Sequence, residues 1–116
     1  MKTLPMLVSV IVGALMLASC RAHSGSFALV NHASEPIAHA SVSICGQTIE
    51  LRDIQSGRSA TRSYRVTSDS HYGIRVEFGS GKQLYKEVGY VTNGVDFQHE
   101  ISVTDSDIEI TATQVK

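Results

Sequence analysis

Apolar and polar residues alternate along most of the chain after residue 26, which is the pattern of β-strands with one buried face. In HYGIRVEF (71–78), every second residue from Tyr72 to Phe78 is apolar. The segments VDFQHEISV (95–103) and IEITAT (108–113) repeat this period. The pattern predicts eight strands, near residues 26–31, 37–45, 48–54, 60–67, 71–78, 83–91, 95–103 and 108–113.

Turn residues separate these runs. Gly46-Gln47 and Asn93-Gly94 are favourable two-residue turns, and Gly79-Ser80-Gly81 is typical of a short hairpin loop. No helical periodicity lies between the runs. Seven or eight short strands at this spacing predict an all-β fold, a single antiparallel β-sandwich of the immunoglobulin-like kind.

One predicted strand has no clean apolar face. In QLYKEVGYV (83–91), Lys86 shares a face with Leu84, Val88 and Tyr90. Gly89 predicts a β-bulge that changes the direction of the side chains after it.

The N-terminal segment has the pattern of a secretory signal peptide. A positively charged start (Met1–Thr3) precedes an apolar run from Leu4 to Leu17, about 14 residues where a spanning helix needs about 20. The run ends in Leu17-Ala18-Ser19-Cys20, which resembles the bacterial lipobox. The resemblance implies cleavage between Ser19 and Cys20 and attachment of diacylglycerol and an acyl chain such as palmitate to Cys20. The alternative is an ordinary signal peptide, for which Leu17 is a poor residue three positions before the cut.

The lipobox resemblance also implies a location. In Gram-negative lipoproteins an aspartate after the lipidated cysteine favours retention in the inner membrane, and this chain has Arg21 there. We therefore expect an outer-membrane anchor with the domain facing the periplasm. The predicted organisation is a signal peptide (1–19), a lipidated cysteine with a flexible polar tether (20–26) and a β-sandwich domain (27–116).

The charge balance after cleavage excludes one class of partner. Loss of Lys2 with the signal leaves nine of the ten Lys and Arg residues against eleven Asp and Glu. A nucleic-acid-binding domain would show a strongly basic face, so we expect no nucleic-acid partner.

The remaining cysteine and the histidines do not form a recognisable reactive site. Cys45 is alone once Cys20 is acylated, and it is interpreted as a partly buried apolar side chain or, less favourably, as a reactive thiol. His99 shares a face with Phe97 and Ile101, which is typical of a hydrogen-bonded histidine at the core. The spacing of the five histidines provides no metal-chelating pair.

Three short motifs contain residue types found in catalytic or ion-binding sites, but none has the geometry or the full set of residues that such a site needs. Asp69-Ser70-His71 contains triad residues, but neighbours in a strand point to opposite faces. The segment 79–82 resembles the end of a phosphate loop, but the motif also needs a glycine at Val76 and Ser or Thr at Gln83. Asp105-Ser106-Asp107 lacks the other ligands of a calcium loop. The sequence therefore predicts no catalytic residue, metal site or cofactor.

The arginines and the acidic residues are unevenly distributed. Arginines concentrate in the middle of the chain and carboxylates near the end: Arg52, Arg58, Arg62, Arg65 and Arg75 against Asp96, Glu100, Asp105, Asp107 and Glu109. The distribution fits a basic patch for an anionic glycan or envelope protein, or cross-strand charge pairing on the outer faces. Because aromatic and arginine residues contribute most to interfaces, the candidate binding residues are Tyr85, Tyr90, Arg62, Arg65 and Arg75.

Four further segments, FALVNHASEPI, DIQSGRS, HYGIRVEF and GYVTNG, together resemble small proteobacterial lipoproteins of uncharacterised activity. The shared features fall at Asn31/Ser34, Gly57/Ser59 and Gly89-Tyr90-Val91. The resemblance implies a compact β-domain on a lipid tether and implies no activity.

Three functional hypotheses follow. The first is a non-enzymatic, membrane-anchored envelope lipoprotein that binds or supports another envelope component. The second is a periplasmic immunity or inhibitor protein that neutralises a toxin or hydrolase. The third, a small enzyme or metal carrier, requires His71, His99 and an acidic residue to meet in one cleft.

Overall fold

The computed structural model describes residues 23–112, which fold into two four-stranded sheets packed face to face. The strands are β1 (His23–Asn31), β2 (Ile37–Ile44), β3 (Gln47–Ile54), β4 (Ser59–Val66), β5 (Ser70–Phe78), β6 (Gln83–Val91), β7 (Phe97–Val103) and β8 (Ile108–Ala112). Sheet A has the order β4-β1-β7-β8 and sheet B the order β3-β2-β5-β6. The predicted all-β sandwich is confirmed, and each strand lies within three residues of its predicted bounds.

The core lies between the sheets and is built by the alternation seen in the sequence. Along β5, the apolar residues Tyr72, Ile74, Val76 and Phe78 are buried, and Arg75 and Glu77 between them are exposed. The other strands contribute in the same way. The largest fully buried side chains include Phe27, Leu29, Ile37, Ile44, Leu51, Ile101 and Ile108.

Two features of the strand order differ from the expectation of an antiparallel, immunoglobulin-like sandwich. The central strands of sheet A, β1 and β7, are parallel, with Gly25 opposite Phe97 and Asn31 opposite Val103. Strands β1 and β2 lie in opposite sheets, whereas the first two strands of an immunoglobulin domain share one sheet. Period-two alternation decides which face of a strand is buried but not its neighbour, so these pairings are not visible in the sequence.

The first strand begins before the predicted domain boundary at residue 27. Residues 23–26 form the first part of β1 and pair with β4, from His23 opposite Val66 to Ser26 opposite Ser63. The backbone N–H of Ser24 donates to Oδ1 of Asp96 (2.9 Å). The polar, glycine-containing composition predicts a linker, but pairing with β4 along all four residues, and with β7 from Gly25, makes the segment part of a strand.

Strand β6 contains the bulge predicted at Gly89. Its register against β5 shifts between Tyr72, which pairs with Val88, and Ser70, which pairs with Val91, and Gly89 has φ +73°. The bulge buries Val91 and turns Tyr90 outward. Before the bulge, the half-buried Lys86 follows the inner face and reaches Oδ1 of Asp107 at 3.0 Å, an inward charge of the kind that protects an edge strand from pairing with another chain.

Two turns are built differently from the sequence expectation. The β2–β3 hairpin turns at Cys45-Gly46, one residue before the predicted pair, and both residues have positive φ (50° and 72°) as a type I′ turn requires. Asn93-Gly94 joins no hairpin, because β6 and β7 lie in different sheets.

The sandwich has two ends, named here by the first and last residues of β1. The His23 end carries the Cys45-Gly46 turn and the loops 67–69 and 92–96. The Asn31 end carries the loops 32–36, 55–58, 79–82 and 104–107.

The Asn31 end is held by one buried side chain. Nδ2 of Asn31 donates to the carbonyls of Ile54 (2.9 Å) and Glu35 (3.1 Å), and Oδ1 accepts from the N–H of Ala33 (2.9 Å). These bonds join β1, the following turn and the end of β3, so Asn31 has a structural role.

Candidate functional site

The predicted lipidation site, Cys20, and the cleavage position after Ser19 lie outside the described residues. The described residue nearest to them is His23, at the start of β1. Between His23 and Ala112 the structure contains no helix long and apolar enough to cross a membrane.

The structure divides the five candidate binding residues among three places. Arg62 and Arg65 are exposed on β4, at the edge of sheet A. Arg75 and Tyr85 are neighbours on sheet B. Tyr90 lies near the His23 end, beyond the bulge in β6. The three arginines of the candidate set are thus divided between the two sheets.

Arg75 and Tyr85 form a paired unit on the outer face of sheet B. They are opposite each other in the β5–β6 register, and the guanidinium carbon of Arg75 lies 4.8 Å from the centre of the Tyr85 ring. This is cation–π geometry. Tyr85 remains 53% exposed.

Two further ionisable groups extend this unit. The hydroxyl of Tyr85 donates to Oε2 of Glu87 (2.8 Å), and Nε2 of His71 lies 3.2 Å from Oε1 of the same carboxylate. The hydrogen bond from Tyr85 and the nearby His71 lower the pKa of Glu87. The same hydrogen bond is the main reason why the pKa of Tyr85 is raised. Glu87 is thus held as a carboxylate at the surface.

A surface pocket of about 240 Å³ lies beside Tyr85, and we call it the Tyr85 pocket. It is lined by Ser43, Ile44, Cys45, Gly46, Ser70, His71, Gly73, Tyr85 and Glu87. Small residues form its floor where β2 and β5 pair, with Ser43 opposite Gly73. A Cβ at Gly73 would lie 3.4 Å from the Tyr85 hydroxyl, so the tyrosine partly covers a glycine that leaves the backbone accessible.

The rest of the outer face of sheet B is polar and carries both signs of charge. One row across the four strands consists of Glu50, Ser41, Arg75 and Tyr85 in register. This polar face therefore combines an exposed aromatic residue with a small-residue depression.

A second depression, of about 350 Å³, lies where the β3–β4 connection crosses between the sheets. Arg52 and Arg58 line it together with Asp53, Gln55 and Ser59. Both arginines were part of the basic distribution in the sequence but not of the candidate set.

Cys45 is a structural thiol in this fold. It is 8% exposed, and its Sγ donates to the carbonyl of Ser68 (3.4 Å) while its N–H donates to Oγ of Ser70 (3.0 Å). These bonds tie the type I′ turn to the start of β5. Although Cys45 lines the Tyr85 pocket, burial leaves little of its sulfur accessible.

The most unusual polar group is buried between the sheets. The hydroxyls of Tyr64 and Tyr72 are 2.6 Å apart, and the Tyr72 hydroxyl is 2.9 Å from Nδ1 of His99. Tyr64 and His99 belong to sheet A and Tyr72 to sheet B, so the chain of hydrogen bonds crosses the core. Burial raises the pKa of both tyrosines and lowers that of His99.

The prediction of His99 as a hydrogen-bonded core histidine is confirmed, since it is 7% exposed. The sequence did not identify Tyr72 as its partner, because the two residues lie in different sheets. His71 follows the opposite face of β5 from Tyr72 and is exposed. His71 and His99 therefore do not meet in one cleft, the condition set for the enzyme or metal-carrier hypothesis.

No group of three or more His, Cys, Asp or Glu residues within 23–112 is placed to hold a metal ion.

Comparison with known proteins adds information on the fold. No family model matches the chain, and no curated protein sequence matches it. Among solved structures, the NMR structure of a protein from Eubacterium rectale is similar, with a TM-score of 0.58 and 14% sequence identity. The match covers 81% of this chain and 92% of that one. At this identity the likeness concerns the fold alone.

Proposed function

We propose that this chain is a lipid-anchored envelope lipoprotein of the small proteobacterial kind, facing the periplasm from the outer membrane. We further propose that its β-sandwich binds another envelope component without enzymatic chemistry. The anchor rests on the lipobox-like Leu17-Ala18-Ser19-Cys20. The binding role rests on one observation, the Tyr85 pocket on the polar outer face of sheet B.

Contacts within the site support binding through this face. Arg75 stacks on Tyr85, and Tyr85 donates to Glu87, so the exposed aromatic ring is held in one orientation before any partner arrives. A preorganised side chain loses less conformational entropy on binding. Arg75 and Glu87 present both signs of charge, which suits a polar protein surface better than a uniformly anionic glycan.

The anchor is tested by fractionating cells that express the full chain. Cys20→Ser is expected to move the protein from the membrane to the soluble fraction. Cys45→Ser is the matched control, because it removes the other thiol and is expected to stay in the membrane fraction. Equal membrane retention of the Cys20→Ser protein would contradict the anchor.

The binding role is tested by chemical crosslinking in native envelopes, with the lipidated protein as bait and mass spectrometry as readout. Arg75→Ala and Tyr85→Ala are expected to reduce recovery of a specific partner several-fold. Arg65→Ala is the matched control, an exposed arginine on the other sheet, and should leave recovery unchanged. A partner recovered equally with all three variants would place the interface elsewhere. A toxin or hydrolase as the partner would favour the inhibitor hypothesis.

A further inference from the structure

We propose that the His23 end of the sandwich is a membrane-contact surface, on which the domain rests directly against the lipid bilayer. This inference depends on the proposed lipid anchor at Cys20. It specifies which end of the domain faces the bilayer, which the anchor alone does not determine.

The distance between the anchor and the fold is short. Only three residue steps separate Cys20 from His23, and a fully extended chain covers at most about 3.6 Å for each, or about 11 Å in total. The seven-residue tether expected from composition would have allowed twice that distance.

The start of β1 is firmly part of the domain. His23 and Ser24 pair with Val66 and Arg65 on β4. Asp96 holds both residues from the other side, through the N–H of Ser24 (2.9 Å) and Nδ1 of His23 (3.2 Å). Lengthening the tether would break this pairing, so the His23 end must stay close to the lipid.

The surface at this end suits the interface of a bilayer. The structure describes three large hydrophobic side chains that are exposed: Tyr85 at 53%, Tyr90 at 60% and Val95 at 46%. Tyr90 and Val95 belong to the His23 end. The bulge at Gly89 turns Tyr90 outward, and Val95 precedes Asp96, which contacts β1. Tyrosine is enriched where membranes meet water, because its ring is apolar and its hydroxyl polar.

The carboxylates described at this end are already engaged by protein groups. Oδ1 of Asp69 accepts from the N–H of Asn93 (2.7 Å), and Asp96 binds β1 as described above. Both carboxylates therefore already accept hydrogen bonds from the protein.

The Asn31 end has a different surface. Its exposed side chains include Ser34, Ser80, Lys82 and Asp105. Hydrogen bonds connect its loops, because Ser34 donates to Asp105 and Nζ of Lys82 donates to the carbonyl of Asp105. Strand β1 has nine residues, about 30 Å at the usual rise per residue. The Asn31 end would thus project about that far from the membrane.

This orientation has a consequence for the proposed binding site. The Tyr85 pocket is lined by Cys45, Gly46, Ser70 and His71, which belong to the half of sheet B nearest the His23 end. A partner bound there would lie beside the membrane surface, which favours another membrane-attached component over a freely diffusing one.

The absence of tryptophan from the sequence allows a direct test. Val95→Trp places a single tryptophan at the proposed contact, and Ser106→Trp places one in the exposed β7–β8 turn at the opposite end. Each lipidated full chain is reconstituted in vesicles of phosphatidylethanolamine with a minority of phosphatidylglycerol. Quenching of tryptophan fluorescence by brominated acyl chains is measured, and co-sedimentation reports attachment. Tyr90→Trp is a second, conservative reporter of the same end.

We expect several-fold stronger quenching for Val95→Trp and Tyr90→Trp than for Ser106→Trp. Equal quenching at both ends, or none at either, in protein that co-sediments with the vesicles would overturn the orientation and leave the anchor standing. Acylated protein that fails to co-sediment would overturn the anchor, and the orientation with it.

Discussion

The hydroxyl oxygen of Tyr72 lies 2.9 Å from Nδ1 of His99, and the two rings meet nearly perpendicular, at 84°. The pair links sheet B to sheet A inside the core, and Tyr64 continues it through a second hydroxyl. No buried side-chain nitrogen or oxygen among residues 23–112 lacks a hydrogen-bond partner. Removing the central hydroxyl of this network, that of Tyr72, should therefore lower the free energy of unfolding.

The first prediction concerns Tyr72→Phe. The substitution removes one oxygen and leaves His99 and Tyr64 without their shared partner, so we expect the free energy of unfolding to fall by about 1–3 kcal/mol. Urea unfolding of residues 20–116 measures the change. Tyr85→Phe, which removes an exposed hydroxyl, is the control and should change stability by less than about 0.5 kcal/mol. Equal effects of the two substitutions would show that the buried network contributes little.

The second prediction concerns pH. Burial lowers the pKa of His99 in the folded protein from its ordinary value of 6.5, so between the two pKa values the unfolded chain binds more protons. Stability should therefore fall as pH decreases below about 6.5 and continue falling until the folded-state pKa is reached. Urea unfolding at several pH values between about 7 and 5 should show this slope in the parent and a weaker slope in His99→Gln. Identical slopes would contradict the assignment to His99.

The third prediction compares two glycines in strand interiors. A Cβ at Gly25 would lie 2.7 Å from Cε2 of Tyr64 and closer still to Cζ, so Gly25→Ala must displace a ring of the buried network. We expect a loss of about 1–3 kcal/mol. Gly73→Ala is the matched control, because its Cβ would have an ordinary 3.4 Å contact with the hydroxyl of Tyr85. It should be neutral or slightly stabilising, since alanine restricts the unfolded chain more than glycine does. The reverse order of the two effects would refute the close packing at Gly25.

The fourth prediction concerns the buried amide of Asn31. Asn31→Ala removes the acceptor for Ala33 and the donors to Ile54 and Glu35, so we expect a loss of at least about 2 kcal/mol. Amide hydrogen exchange should show reduced protection in the 32–36 and 55–58 loops that this side chain connects. His32→Ala, at the exposed neighbouring position, should alter neither stability nor exchange, and a loss equal to that of Asn31→Ala would contradict the role of the amide.

The sequence alone determined the local features of this fold. Alternation predicted the eight strands and the buried faces of the clearest ones, such as β5 and β7, and Gly89 predicted the bulge in β6. Side-chain direction within a strand depends only on the backbone of that strand. Burial of His99 was visible for the same reason, since Phe97 and Ile101 share its face.

Only the tertiary structure decided which strands are neighbours, and every property that depends on neighbours follows from that choice. The pairing of β1 with β4 placed residues 23–26 in a strand, although composition alone predicted a tether there. The pairing of β5 with β6 placed Arg75 against Tyr85 and formed a pocket, while Arg62 and Arg65 went to the other sheet. The contact between Tyr72 and His99 depends on how two sheets pack face to face. These relationships join residues far apart in the sequence. The alternation within one strand would be the same whichever strand paired with it, so it does not identify the neighbour.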